Sequence, residues 1–436
     1  MREAWASLPN WGQDLVLLLA LLAPAAVVGM IVLRGFRIGP LLAGLIRRQL
    51  WISVTFTLLI AVSVGLGTGL IAQERGLRAG TARAADRFDL VIARPGSEMT
   101  AMLAAVYLQP SDMALIDGPT WDRIARHPNT VLAAPIGFGD SWQGAPVIGT
   151  TAGFVAHLAG ELAEGHVFTA EAEAVAGARV PIPLGARFSP AHGTGHGAEE
   201  GAHAGFDYTV TGRMPLTGTP WDRALLVPIE SVWSVHGLPN GHPAGWAGPL
   251  GPPFDPAAFP GTPAVMVRAD SLAATYGMQA EFTNADTMAF FPGTILARLH
   301  ALMGDVRQVM SVLAVITQVL VTAGVLAGLM LLTRLIGRRL ALLRGLGAPR
   351  RFVFALTWGY AVTLIAAGAA LGLGLGVLAA QAISAAITAR TDILVRATLD
   401  WPEVHLVAGF VSLTAALALL PAFLTMNRPV IADLRG

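Results

Sequence analysis

Apolar residues gather into long runs towards the two ends of the chain and are broken up in the middle. Residues 15–33 and 50–72 are predominantly apolar, and further runs follow at 309–333, 352–387 and 405–424. Each is long enough to cross a bilayer as a helix, which takes about 20 residues. Between the second and third runs hydropathy falls, and Pro, Gly, Trp and charged residues become frequent. That stretch, 73–303, is far too long for a loop and is expected to fold as a domain outside the membrane. Its start, 74–87, continues the preceding run as a helix. Alternating or short apolar stretches at 88–93, 112–115, 131–138, 145–150, 207–211, 224–228 and 264–267 predict strands, and 121–126, 229–236 and 271–277 predict helices. The expected fold class is an α-helical polytopic membrane protein of about five spans, with a large α+β extracytoplasmic domain inserted between the second and third. The implied divisions are 1–72, 73–303 and 304–436.

Charge orients this arrangement. Arg34, Arg37, Arg47 and Arg48 lie between the first two runs, and Arg334, Arg338, Arg339, Arg344, Arg350 and Arg351 between the third and fourth. Short basic loops stay in the cytoplasm, so the central domain is expected on the periplasmic side of a bacterial inner membrane. Within 334–351, Leu335, Ile336, Leu340, Leu343 and Leu346 recur at helical spacing among the arginines. This predicts an amphipathic helix able to dock on a partner at the membrane surface, punctuated by Gly345, Gly347 and Pro349. Gly368, Gly372, Gly374 and Gly376 would give the fourth run faces for close helix contact. Gly65, Gly67 and Gly69 read equally well as contact positions or as membrane filler.

Composition narrows the chemistry. The chain has 436 residues, 54% of them hydrophobic and 13% charged, with a formal net charge of +1, which gives no global attraction to nucleic acid. It holds no cysteine, so disulfides, iron–sulfur clusters and thiol catalysis are excluded. It also holds no lysine, so no phosphate-binding G-x-x-x-x-G-K-[ST] loop exists. No HExxH or Ser–His–Asp spacing stands out, and an enzyme is the weakest reading. Around 190–206, His192, His196 and His203 accompany Glu199 and Glu200 in a Gly/Ala-rich segment. Imidazole and carboxylate together suit zinc, and the competing reading is a solvated loop. His157, His166, His236 and His242 are read as plain surface residues.

The basic segment also carries a resemblance. Leu343-Arg344-Gly345-Leu346-Gly347, preceded by Ile336-Gly337, is similar to the "REIGxLRAxG" loop of FtsX/MacB-like ABC transporter permeases, the type VII superfamily, although the acidic residue before the isoleucine is missing. Pro421-Ala422, Pro429 and Leu434-Arg435 resemble that family's closing segment, and 88–94, 147–150 and 165–168 are loosely similar to its outer domain. The resemblance implies a permease subunit that relays ATP-driven motion from a cytoplasmic ABC ATPase to a periplasmic domain, for export, extraction or signalling. It implies a homodimer in membrane lipid, a periplasmic accessory or substrate-binding partner, and a chain with no cofactor of its own, ATP being held by the partner. Coupling would fall to Arg338, Arg339, Leu340, Leu343, Arg344, Leu346 and Gly347. The family core has four spans, and this chain adds one in front. The alternatives are a zinc-linked ABC system using the histidine segment, and a membrane-anchored receptor or scaffold without an ATPase.

Overall fold

The computed structural model describes residues 8–109, 111–193, 206–335, 342–391 and 393–426. It divides into two compact units. One comprises Met1–Leu77, Asp305–Ala385 and Arg396–Gly436, and the other Arg78–Gly304 with Ala386–Val395. The chain opens with helices α1 (Asn10–Leu33), α2 (Gly39–Arg48) and α3 (Leu50–Ala85). α3 is a single helix that carries the continuation predicted at 74–87 as far as Ala85.

The second unit is an α+β fold. In chain order it contains β1 (Leu90–Ala93), α4 (Glu98–Ala105), α5 (Gly118–Ala125), β2 (Thr130–Trp142), β3 (Ala145–Thr150), α6 (Ala152–Ala159), β4 (Glu164–Gly165), β5 (Glu173–Ala176), β6 (Arg187–Phe188), β7 (Ala191–His192), β8 (Tyr208–Arg213), β9 (Leu225–Pro228), α7 (Ile229–Val235), β10 (Ala264–Ala269), α8 (Leu272–Glu281) and β11 (Met288–Phe290). The strands join in the order β11-β1-β10-β2-β3-β9-β5-β8-β4, with β6 on β8 and β7 on β2. Most pairs are antiparallel, while β3–β9 and β5–β8 are parallel.

Local chemistry explains where the helices begin. Ser97, Asp117, Thr151 and Ser271 each accept a backbone N–H from the first turn of α4, α5, α6 and α8. Such caps satisfy donors that the helix itself leaves without partners. The strand expected at 112–115 does not form. Both edges of β10 are occupied, by β1 and β2, so the segment reaches the sheet only at Ile116, whose amide bonds Thr262 O at 2.8 Å. Tryptophans anchor the interior through both faces and N–H: Trp221 Nε1 donates to Val106 O and Trp233 Nε1 to Gly261 O, each at 3.1 Å.

The chain closes with α9 (Pro292–Leu335), α10 (Arg350–Thr391), α11 (Trp401–Leu417) and α12 (Leu419–Met426). Four described stretches are long and apolar enough to cross a membrane: Asn10–Leu33, Leu50–Ala85, Arg350–Arg390 and Trp401–Met426. The predicted third run, 309–333, falls within α9, many of whose side chains lie outside the described residues.

Inside the helical unit, α10 meets α3 through small residues. A Cβ at Gly368 would lie 2.7 Å from Ile60 Cβ, and one at Gly372 would lie 2.7 Å from Val64 Cβ. Gly65 and Gly69 face Gly372 and Gly376 in return: a Cβ on each would lie 3.0 and 3.2 Å from their carbonyl oxygens. Gly374 meets nothing within 4 Å, which corrects the expectation that it serves contact with Gly368, Gly372 and Gly376. Of the three glycines left open between contact and filler, Gly65 and Gly69 make contact and Gly67 meets nothing within 4 Å. Spacing decides it: positions four apart share a helix face, and positions two apart do not. Elsewhere in this unit Glu403 is wholly buried. Its Oε1 accepts from Arg75 Nη2 at 2.9 Å, and its Oε2 accepts the Asp400 amide at 3.0 Å in a capping box that starts α11.

Candidate functional site

The segment joining α9 to α10 carries the first candidate. Residues 342–345 are helical, and the helix stops abruptly. The Ala348 amide donates to Leu343 O and the Gly347 amide to Arg344 O, both at 3.0 Å. This pair of bonds is a Schellman stop, which requires a left-handed residue after the last helical one. Gly347 fills that place with φ 100°, a conformation that costs other L-residues about 1–2 kcal/mol. The stop leaves Leu342 and Leu346 at the surface, 54% and 87% exposed, while Leu343 packs partly against the core that holds Val353 and Leu356. Arg344 is half-buried. Arg338, Arg339 and Leu340 lie outside the described residues.

The second candidate lies in the α+β unit. Asp140 sits on β2 directly opposite His192 of β7. The register of β2 against β3 shifts between Gly137 and Asp140, an irregularity of the kind that re-aims side chains near functional sites. Gly193 locks β7 in place: its amide donates to Gly139 O and its carbonyl accepts from Ser141 Oγ, each at 2.7 Å. A glycine pair then brings α7 close. Gly137 faces Gly149 across the strands, and a Cβ on either would collide with Ile229 Cδ1, at 2.5 and 2.9 Å. With α7 seated there, His236 at its C-terminal end reaches Asp140.

The resulting group is compact. Asp140 Oδ1 lies 3.4 Å from His192 Nδ1 and 3.6 Å from His236 Nε2. Asp140 is 3% exposed, His236 26% and His192 51%. The other nitrogen of His236, Nδ1, is 2.7 Å from Val232 O and donates to it. Asp140, Gly139 and Gly193 also line a cavity of about 400 Å³ together with Phe138, Pro146 and Ile148.

Of the three histidines singled out in the sequence, His192 is in this group, and His196 and His203 lie outside the described residues. Asp140 and His236 were not foreseen. No local pattern marks them, because strand register and the seating of α7 bring them together. His236, His242 and the half-buried His157 therefore depart from the plain surface reading, whereas His166 keeps to it, its Nδ1 3.0 Å from Val167 O at an exposed position. The His242 side chain is 1% exposed, its ring stacks on Trp246 at 4.7 Å, and its Nε2 is 3.4 Å from Glu230 Oε1. Burial pushes the Glu230 carboxyl above the usual carboxylate range, against the opposing pull of the Gly251 N–H and His242.

No protein-family profile and no curated protein matches the chain. Among solved structures, two similar chains are a periplasmic and an extracellular region. The periplasmic region of MacB from Actinobacillus actinomycetemcomitans aligns at 11% identity with a TM-score of 0.31, over 50% of this chain and 95% of that one. The extracellular domain of the noncanonic ABC-type transporter YknZ from Gram-positive bacteria aligns at 11% identity with a TM-score of 0.29, over 46% of this chain and 98% of that one. Scores at this level do not establish a common fold.

Proposed function

We propose that this chain is the membrane subunit of an ATP-driven machine of the FtsX/MacB type, in which a separate cytoplasmic chain hydrolyses ATP. The observation that carries the reading is the Schellman stop between α9 and α10. It ends the helical residues 342–345, in a stretch whose sequence is rich in arginine, and leaves Leu342 and Leu346 four residues apart at the surface. Exposed leucines among arginines form a docking patch for a partner with an apolar groove and acidic rim. The "LR-x-LG" sequence and the long apolar helices on both sides support the same reading. In it the chain works as a homodimer in the inner membrane, and ATP-driven movement passes along the long helices to the α+β unit in the periplasm.

The test is recovery of an ABC-type ATPase with the full-length chain from its native membrane in mild detergent. Leu346→Glu is the informative variant, since an 87% exposed side chain gives the fold little to lose. If Leu346 is buried at the contact it contributes about 1.5–3 kcal/mol, or roughly a ten- to hundredfold in affinity. Leu346→Glu should therefore recover little ATPase, and Arg344→Glu should behave alike. Undiminished recovery with both variants would remove this segment as the contact. Recovery of the wild-type chain alone would favour a receptor or scaffold.

A further inference from the structure

We propose that Asp140, His192 and His236 together bind one divalent cation of the zinc class. The inference concerns the α+β unit only and stands whether or not an ATPase partner is found.

The spacing fits. Zinc bonds to nitrogen and oxygen are about 2.0–2.2 Å, so two ligands of a tetrahedral ion are about 3.3–3.6 Å apart. The Asp140–His192 and Asp140–His236 separations are 3.4 and 3.6 Å, and all three ligand atoms lie within 4.8 Å of one another. A proton shared between imidazole and carboxylate would draw the atoms to about 2.7–2.9 Å instead. The tautomer fits as well. His236 donates Nδ1–H to Val232 O at 2.7 Å, so its neutral ring turns the Nε2 lone pair towards Asp140. Locking the far nitrogen of a histidine on a backbone carbonyl is the usual support of a metal ligand. Two imidazoles with one carboxylate suit zinc and similar transition ions better than magnesium or calcium, which take oxygen ligands.

The supporting frame is rigid. β2 and β7 are held by the Gly193 bonds, and α7 by its seat over Gly137 and Gly149. The ion would tie the two strands to the end of α7, beside the cavity that Asp140 also lines. Three protein ligands leave a fourth position for water or for a ligand atom from a partner.

The experiment uses the untagged full-length chain in detergent, stripped with EDTA and titrated with Zn²⁺ against a chromophoric competitor. Co²⁺ absorption reports the coordination geometry. One Zn²⁺ per chain and intense tetrahedral Co²⁺ bands are expected, with affinity at least tenfold weaker in Asp140→Asn and His236→Ala. Unchanged stoichiometry and affinity in both variants would overturn the site, as would a wild-type chain that takes up no Zn²⁺. Should the variants fold poorly, the wild-type chain decides by itself. Bound Zn²⁺ should slow diethylpyrocarbonate modification of His192 and His236, read by mass spectrometry, and leave His157 unchanged. Equal labelling with and without Zn²⁺ would sink the proposal.

Discussion

Replacing Gly372 with alanine sets two effects against each other. In a helix interior the exchange gains about 0.8–1 kcal/mol from backbone propensity. At this position the new Cβ would lie 2.7 Å from Val64 Cβ, 2.8 Å from Ala61 O and 2.9 Å from Val64 Cγ1. Carbon atoms rest comfortably at about 3.5–4.0 Å, so α3 and α10 must part locally by roughly 1 Å. Overpacking of this kind costs about 1–3 kcal/mol. Gly374 supplies the control on the same helix, since a Cβ there meets nothing within 4 Å. Propensity cancels between Gly372→Ala and Gly374→Ala, leaving the packing cost of about 1–3 kcal/mol as their difference. At about 2–4 °C per kcal/mol, the two midpoints should differ by several degrees. The assay is thermal unfolding of the detergent-purified chain, with Gly374→Ala expected above wild type and Gly372→Ala at or below it. Equal midpoints would refute the contact of α10 with α3 through this glycine face.

Two further outcomes follow from buried charge. Glu403→Ala removes both the ion pair to Arg75 and the return bond of the capping box. Losing one partner of a fully buried pair costs about 3–5 kcal/mol, and Arg75, at 32% exposed, can recover some solvation. A loss of about 2–3 kcal/mol is therefore expected, and adding Arg75→Ala to Glu403→Ala should cost much less than Arg75→Ala does alone; simple additivity would show that the pair does not couple. Glu230 makes a pH prediction. Its carboxyl is raised by burial, so its contribution to stability is fully present below the unfolded value near 4.3 and is lost as pH rises through the folded value. Glu230→Gln keeps an acceptor for the Gly251 N–H and removes the ionisation, so its stability should fall less between pH 4 and 8, and identical slopes in urea titrations would contradict this.

How much could be read in advance depends on the range of the interaction. The strands at 145–150, 224–228 and 264–267 were legible because a short, largely apolar run bounded by turn residues is a local property, and β3, β9 and β10 overlap them closely. α4 and α6 were not anticipated. At eight residues each they are too short for a helical period to stand out, and Ser97 and Thr151 were the signals that could have marked them. The expected strand at 112–115 had suitable residues, but β10 beside it already has both edges paired, by β1 and β2. The glycines of α10 carried the right composition, while the choice of Gly372 over Gly374 needed the helix phase.

The apolar runs, the arginine-rich segments and the glycine that stops the helix before α10 each depend on neighbours within a turn or two, so residue order alone sets them. Which distant groups meet depends on packing. Asp140 finds His192 through strand register, and it finds His236 because two facing glycines let α7 settle onto the sheet. Glu230 and His242 became a buried pair under Trp246 for the same reason, since burial belongs to the packed fold and is not written in the residue type. A local pattern records what a residue can do, and packing settles what it is given to do it with.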